Sequence, residues 1–185
     1  KGAKLKPQFD QTWEDQELES LDQGCTQHVY SDKIFHNWEG FEDGMQVVVD
    51  ELRNSKIELR KDWFIAHILV ELVLDKILIN RQPNLASELY ADYDKIKMEV
   101  VHKYISQYQI DNAESFSKGF DPLKQVRYLE SYREYTNIVY ALGRIYTKMK
   151  LPPFSKEQKE LLLRVAVVTE RAMENRIEEL ESLLQ

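Results

Sequence analysis

Two short rows of imidazole and carboxylate side chains carry the chemistry available to this sequence. His28, Asp32 and His36 recur at steps of four residues, and so do His67, Glu71 and Asp75. On a helix of 3.6 residues per turn a step of four rotates by only about 40°, so each row lies along one face. Imidazole nitrogen and carboxylate oxygen without thiolate suit a catalytic divalent metal (Mn, Fe, Mg or Zn) better than a structural one. If the two rows face each other, His28, Asp32, His36, His67 and Glu71 form the expected ligand set.

The second row interrupts a stretch from Trp63 to Ile79 that is otherwise almost wholly apolar. A helix of that kind is covered on most sides. An unpaired carboxylate there costs several kcal/mol, so something must neutralise it. A metal would serve, and so would a guanidinium from a neighbouring helix, with Arg133 and Arg144 as candidate donors. A buried ion-pair network is therefore the alternative to a metal for the second row, and a solvated polar face is the alternative for the first.

Other patterns carry less. Glu99 and His102 have the Glu-x-x-His spacing of four-helix di-iron sites, which need two copies and two further glutamates; the chain has one copy. Cys25, the single cysteine, has no neighbour that would activate it and reads as a small packing residue. Arg127, Arg133, Arg144, Lys148 and Lys150 alternate with tyrosines between Asp121 and Lys150. An arginine in that series could clamp a phosphate oxygen, or simply answer the acids of the apolar helix. Glycine-rich phosphate loops and a Gly-x-Ser-x-Gly elbow are both missing.

The elements that must position these residues read as helices. The expected succession is Gly24 to Trp38, Phe41 to Arg53, a buried central helix from about Trp63 to Asn80, and a long helix from Leu85 to about Tyr108. A short helix or turn follows at Asp111 to Phe120. Asp121-Pro122 opens a helix running to Lys150, where Pro152-Pro153 stop it. Ser155 with Gln158 makes a capping box for a last helix reaching about Leu184. The acidic stretch Trp13 to Asp22 reads as a loop or a solvated first turn. The expected fold class is all-α, a single helical domain over 1–185 with about six to seven helices.

Six Gly and five Pro in 185 residues are too few for an all-β chain. The net charge of −7 gives no whole-molecule footprint for nucleic acid. The longest apolar run is broken by His67, Glu71, Asp75 and Lys76, so no membrane span is read and no membrane is expected as a partner. One cysteine suits a reducing compartment, which makes the cytoplasm the expected location.

The segment Gly24-Cys25-Thr26-Gln27-His28-Val29-Tyr30-Ser31-Asp32, followed by Phe35-His36 and Phe41, resembles the Gly-Ile-x-x-His-Arg-x-Ile-Asp segment of the bacterial acyl carrier protein phosphodiesterases. That all-helical family is a divergent branch of the histidine-aspartate metal-dependent phosphohydrolases. His67 to Leu74 is similar to its second segment, Asp-x-x-x-Asp-His-x-Leu, with His67 and Glu71 in the two acid positions. Tyr132-Arg133-Glu134 is similar to a Tyr-Arg-Asp stretch on its late helix. The chain departs from the pattern at Val29, at His67 and at Leu72.

The resemblance implies a divalent-metal-dependent phosphodiesterase or phosphohydrolase. Its substrate would be 4′-phosphopantetheinyl acyl carrier protein or a small phosphoester. Asp75 would orient the attacking water and Arg133 would steady the phosphate charge. It also implies an essential aspartate upstream of Lys1-Gly2, in a segment missing from the sequence. A non-catalytic helical binding or scaffold domain, its polar rows forming an internal salt-bridge network, is the alternative function.

Overall fold

The computed structural model describes residues 14–107 and 125–184. Among them the chain is all-α, with nine helices and no strand. These are α1 Gln16–Asn37, α2 Glu39–Asn54, α3 Asp62–Arg81, α4 Leu85–Lys95, α5 Met98–Gln107, α6 Tyr128–Ser131, α7 Tyr135–Lys148, α8 Lys156–Met173 and α9 Ile177–Leu183. The element expected at Asp111 to Phe120 and the Asp121-Pro122 opening lie outside the described residues.

Internal contacts divide the chain into two units, one drawn from Lys1–Lys33 and Ser87–Arg127, the other from Ile34–Ala86 and Tyr128–Gln185. The first holds most of α1 with α4 and α5. Here the acidic stretch expected as a loop or a solvated first turn is helical from Gln16, held by a local cap and by distant cations. The Asp15 carboxylate accepts from the Glu17 N–H at 3.0 Å, and acids in a first turn favour the positive end of the helix. Lys103 pairs with Asp15, Lys97 pairs with Glu17, and the Tyr104 hydroxyl donates to Asp22 at 2.7 Å. The expected long helix from Leu85 is broken at Ile96-Lys97. The Ile96 N–H donates three residues back to Tyr93 O, tightening the last turn of α4, while Lys97 O accepts from both Val100 and Val101 to open α5.

The second unit is built around α3, whose observed span matches the expected one to within a residue at each end. Ile65, Ala66, Leu69, Val70, Val73 and Ile79 have no exposed surface at all. α3 packs against α2, α7 and α8, and α2 also packs on α8. Gly44 permits that approach: a β-carbon there would lie 2.6 Å from Met173 Sδ and 3.3 Å from both Val70 methyls.

Two expected long helices are interrupted in this unit. The helix reaching Lys150 is split at Tyr132–Glu134, where the Asn137 amide donates to Ser131 O at 2.9 Å and Glu134 is extended (φ −103°, ψ 125°). The side chain thus takes a carbonyl that a continuous helix would need. The last helix has the expected Ser155–Gln158 capping box but ends at Met173, and α9 begins at Ile177. At that break Arg81 donates to Glu174 O at 2.7 Å, and Arg176 is held by Asp43 and Glu179.

Candidate metal centre

α3 supplies two members of the site. His67 and Glu71 stand one turn apart on the same face, with His67 Nε2 3.1 Å from Glu71 Oε1. The third comes from the last turn of α1, where His36 Nε2 lies 4.0 Å from the same carboxylate oxygen. Trp38 then takes an extended backbone (φ −73°, ψ 127°) and α2 starts at Glu39, which brings Phe41 back beneath the imidazoles. The His36 and His67 rings stack with centroids 4.9 Å apart and planes 22° from parallel. Phe41, itself buried, meets each of them edge-on at 5.1 Å. An aromatic floor therefore fixes both ring planes.

One ligand atom from each of His36, His67 and Glu71 falls within 4.8 Å of the others, the one such group among the described residues. Three ligands about 2.1 Å from a single ion stand roughly 3.0–3.4 Å apart, so the cluster closes on an ion by side-chain shifts of about 1 Å. The three side chains are each about a third exposed, which leaves room for water or substrate on the open side. Two imidazoles and one carboxylate with free positions are a donor set for a borderline or hard divalent ion in a reactive site.

The remaining expected residues are distributed differently. His28 and Asp32 are exposed and belong to the other unit. Along α1 a rise of 1.5 Å per residue puts His28 about 12 Å from His36, beyond the shell of a single ion. Asp75 sits one turn beyond Glu71 on α3, mostly buried, with no hydrogen bond or ion pair among the described residues. Burial first, and the neighbouring Glu71 charge second, push its carboxyl up to about 6.

Arg133 lies at the far end of α3, donating to Asn80 Oδ1 at 3.3 Å and Pro83 O at 3.0 Å. Asn80 is nine residues, or about 14 Å of helix, beyond Glu71. Arg144 is exposed and reaches the Tyr140 hydroxyl at 3.4 Å. Neither arginine answers Glu71 or Asp75. His102 is half-buried on α5 and Cys25 half-buried on α1.

The buried ion pair of this unit is one that spacing did not reveal. Lys76 Nζ is 3.2 Å from Glu170 Oε1 and 4.7 Å from the Tyr135 ring centre, and the Tyr135 hydroxyl donates to the other oxygen of Glu170. Burial and the Glu170 contact raise the Tyr135 hydroxyl to about 12. A lone lysine inside an apolar helix was the available signal. Its partner lies 94 residues away, on a helix whose own pattern shows nothing unusual.

The all-α architecture and the His36–His67–Glu71 cluster stand on their own geometry, for no family model, curated protein or solved structure matches the chain.

Proposed function

We propose that this chain is a divalent-metal-dependent hydrolase of phosphoesters, with His36, His67 and Glu71 as the ligands in the described residues. The observation that supports this reading best is the convergence of two imidazoles and a carboxylate from α1 and α3 on one partly open point, with no arginine or lysine among the described residues on either carboxylate of that row. When bound there, a divalent ion would supply Lewis acidity, lowering the pKa of water toward about 7 and polarising a phosphoryl oxygen.

The chain's own residues do the rest. His67 and Glu71 form a clamp whose spacing is set by the helix itself, and Phe41 holds both imidazoles in plane. Asp75, pushed up to about 6, is poised to take a proton from water near neutral pH. A phosphodiester such as the 4′-phosphopantetheine linkage of acyl carrier protein is the substrate that the sequence resemblance suggests.

The test is metal content by mass spectrometry of the full chain and of a His67→Ala/Glu71→Ala double variant. Hydrolysis of a chromogenic phosphodiester is measured alongside. Stoichiometric Mn, Fe or Zn that disappears in the variant, together with metal-dependent turnover, supports the proposal. A protein that takes up no ion after incubation with each metal supports instead the non-catalytic binding domain, in which the 3.1 Å His67–Glu71 contact is purely structural.

A further inference from the structure

One end of the second unit is basic in a chain that is otherwise acidic. The α2–α3 connection, the end of α7 and the start of α8 meet there. The Tyr146 hydroxyl donates to Arg60 O at 3.1 Å, the Gln158 amide donates to Glu58 O at 2.8 Å, and the Tyr146 and Phe154 rings stack at 4.4 Å. Residues 55–62 and 144–160 hold eight of the chain's 25 basic side chains but only four of its 32 acidic ones. Arg53 pairs with Asp62 and Lys156 approaches Glu160. Lys56, Arg60, Lys61, Lys148, Lys150 and Lys159 have no carboxylate partner among the described residues.

Three of those lysines hold strained backbone. Lys56, Lys61 and Lys150 have φ of 59°, 64° and 60°, the left-handed region that glycine adopts freely and a side chain resists. A charged residue at all three positions points to a use for the charge. Between the cations, Trp63 and Met149 are 45% and 53% exposed.

We infer that this basic end docks on an anionic lipid bilayer, with Trp63 and Met149 entering the interface. Six of the eight cations are lysines, point charges on long stems that answer a diffuse headgroup field. The fixed geometry of a protein carboxylate or a nucleic-acid phosphate favours the arginine fork. An exposed indole beside lysines is the side-chain pairing of a membrane–water interface. The acidic remainder of the second unit is repelled by the same surface, which turns this end of the unit toward it. Trp63, His67 and Glu71 follow one another at steps of four on α3, so docking brings the His36–His67–Glu71 cluster within a few turns of the headgroups. The docking is independent of any hydrolytic activity.

The experiment is flotation of the full chain with vesicles of phosphatidylcholine, with and without phosphatidylglycerol, at low and high salt. It is repeated for Lys56→Gln/Lys61→Gln/Lys148→Gln/Lys150→Gln and for Trp63→Ser, with thermal unfolding confirming that each variant is folded. The expected result is salt-sensitive binding to phosphatidylglycerol vesicles only. It should weaken roughly a thousandfold in the quadruple variant, following the contribution of each lysine near such a surface, and weaken also in Trp63→Ser. Absence of binding at low salt, equal binding to neutral vesicles, or an undiminished quadruple variant overturns the inference. Failure to float combined with capture on immobilised poly-glutamate overturns it in favour of an acidic protein partner.

Discussion

The imidazoles of His36 and His67 stack 4.9 Å apart over the edge of Phe41, although one closes a helix and the other sits in the second turn of a different one. Each ring is oriented before any ligand arrives. The entropy of fixing two rotamers is therefore met during folding rather than during binding.

That arrangement makes stability respond to metal. With a divalent ion at a hundred times its Kd, unfolding free energy should rise by about 2.7 kcal/mol. The gain should vanish in His36→Ala. It should also fade in acid, because ligand nitrogens must be unprotonated to bind. Thermal unfolding with and without Zn or Mn measures this, and an equal shift in the variant would place the ion elsewhere.

Asp75 predicts a pH dependence of the metal-free chain. Its folded carboxyl titrates near 6 against a reference of 3.8, so the native state holds the proton more tightly than the unfolded state does. Its contribution is intact in acid below about 4 and is lost as pH climbs through about 6. The loss amounts to about 3 kcal/mol. Asp75→Asn should accordingly raise the melting temperature at pH 7.5 and have little effect near pH 4. Parallel curves for the two proteins across that range would contradict the assignment.

Removing Glu170 strands a cation. Lys76 is almost fully enclosed, and Glu170→Ala should destabilise by about 3–5 kcal/mol in urea unfolding. Lys76→Met/Glu170→Leu, which removes both charges, should recover most of that loss. A double variant as weak as the single would mean that the packing, rather than the charge, sets the penalty.

Two glycines should behave oppositely. Gly24, exposed on α1, has nothing within 4 Å of a β-carbon, and Gly24→Ala should stabilise by roughly 0.5–1 kcal/mol through helix propensity. Gly44→Ala drives a methyl against Met173 and Val70 and should cost about 1–3 kcal/mol. Denaturant midpoints of the two variants decide the matter.

The sequence made α3, the capping box at Ser155 and the proline stop after α7 readable, because each depends on periodicity or on neighbours within a few residues. It also singled out His36, His67 and Glu71, since helical spacing alone keeps His67 and Glu71 together. What it left hidden was set by side-chain partners more than one helical turn away. The breaks at Tyr132–Glu134 and Glu174–Arg176 arise where Asn137, Arg81 and Arg176 claim carbonyls or carboxylates that local propensity could not foresee. The helical start at Gln16 depends on lysines some 80 residues away. Whole-chain charge, an average, concealed the basic end.

Arg133 and Arg81 both bind at the exit of α3, one to Asn80 and Pro83 and the other to the carbonyl of Glu174. Helix ends ordinarily fray, and short links between helices open before the helices themselves do. Here the two links and the helix end are fastened to one another, so none of them opens alone. In a hydrogen-exchange experiment the amides of the last turn of α3 should share one slow rate with those near Asn137 and Arg176, behaving as a single kinetic unit assembled from three stretches of chain.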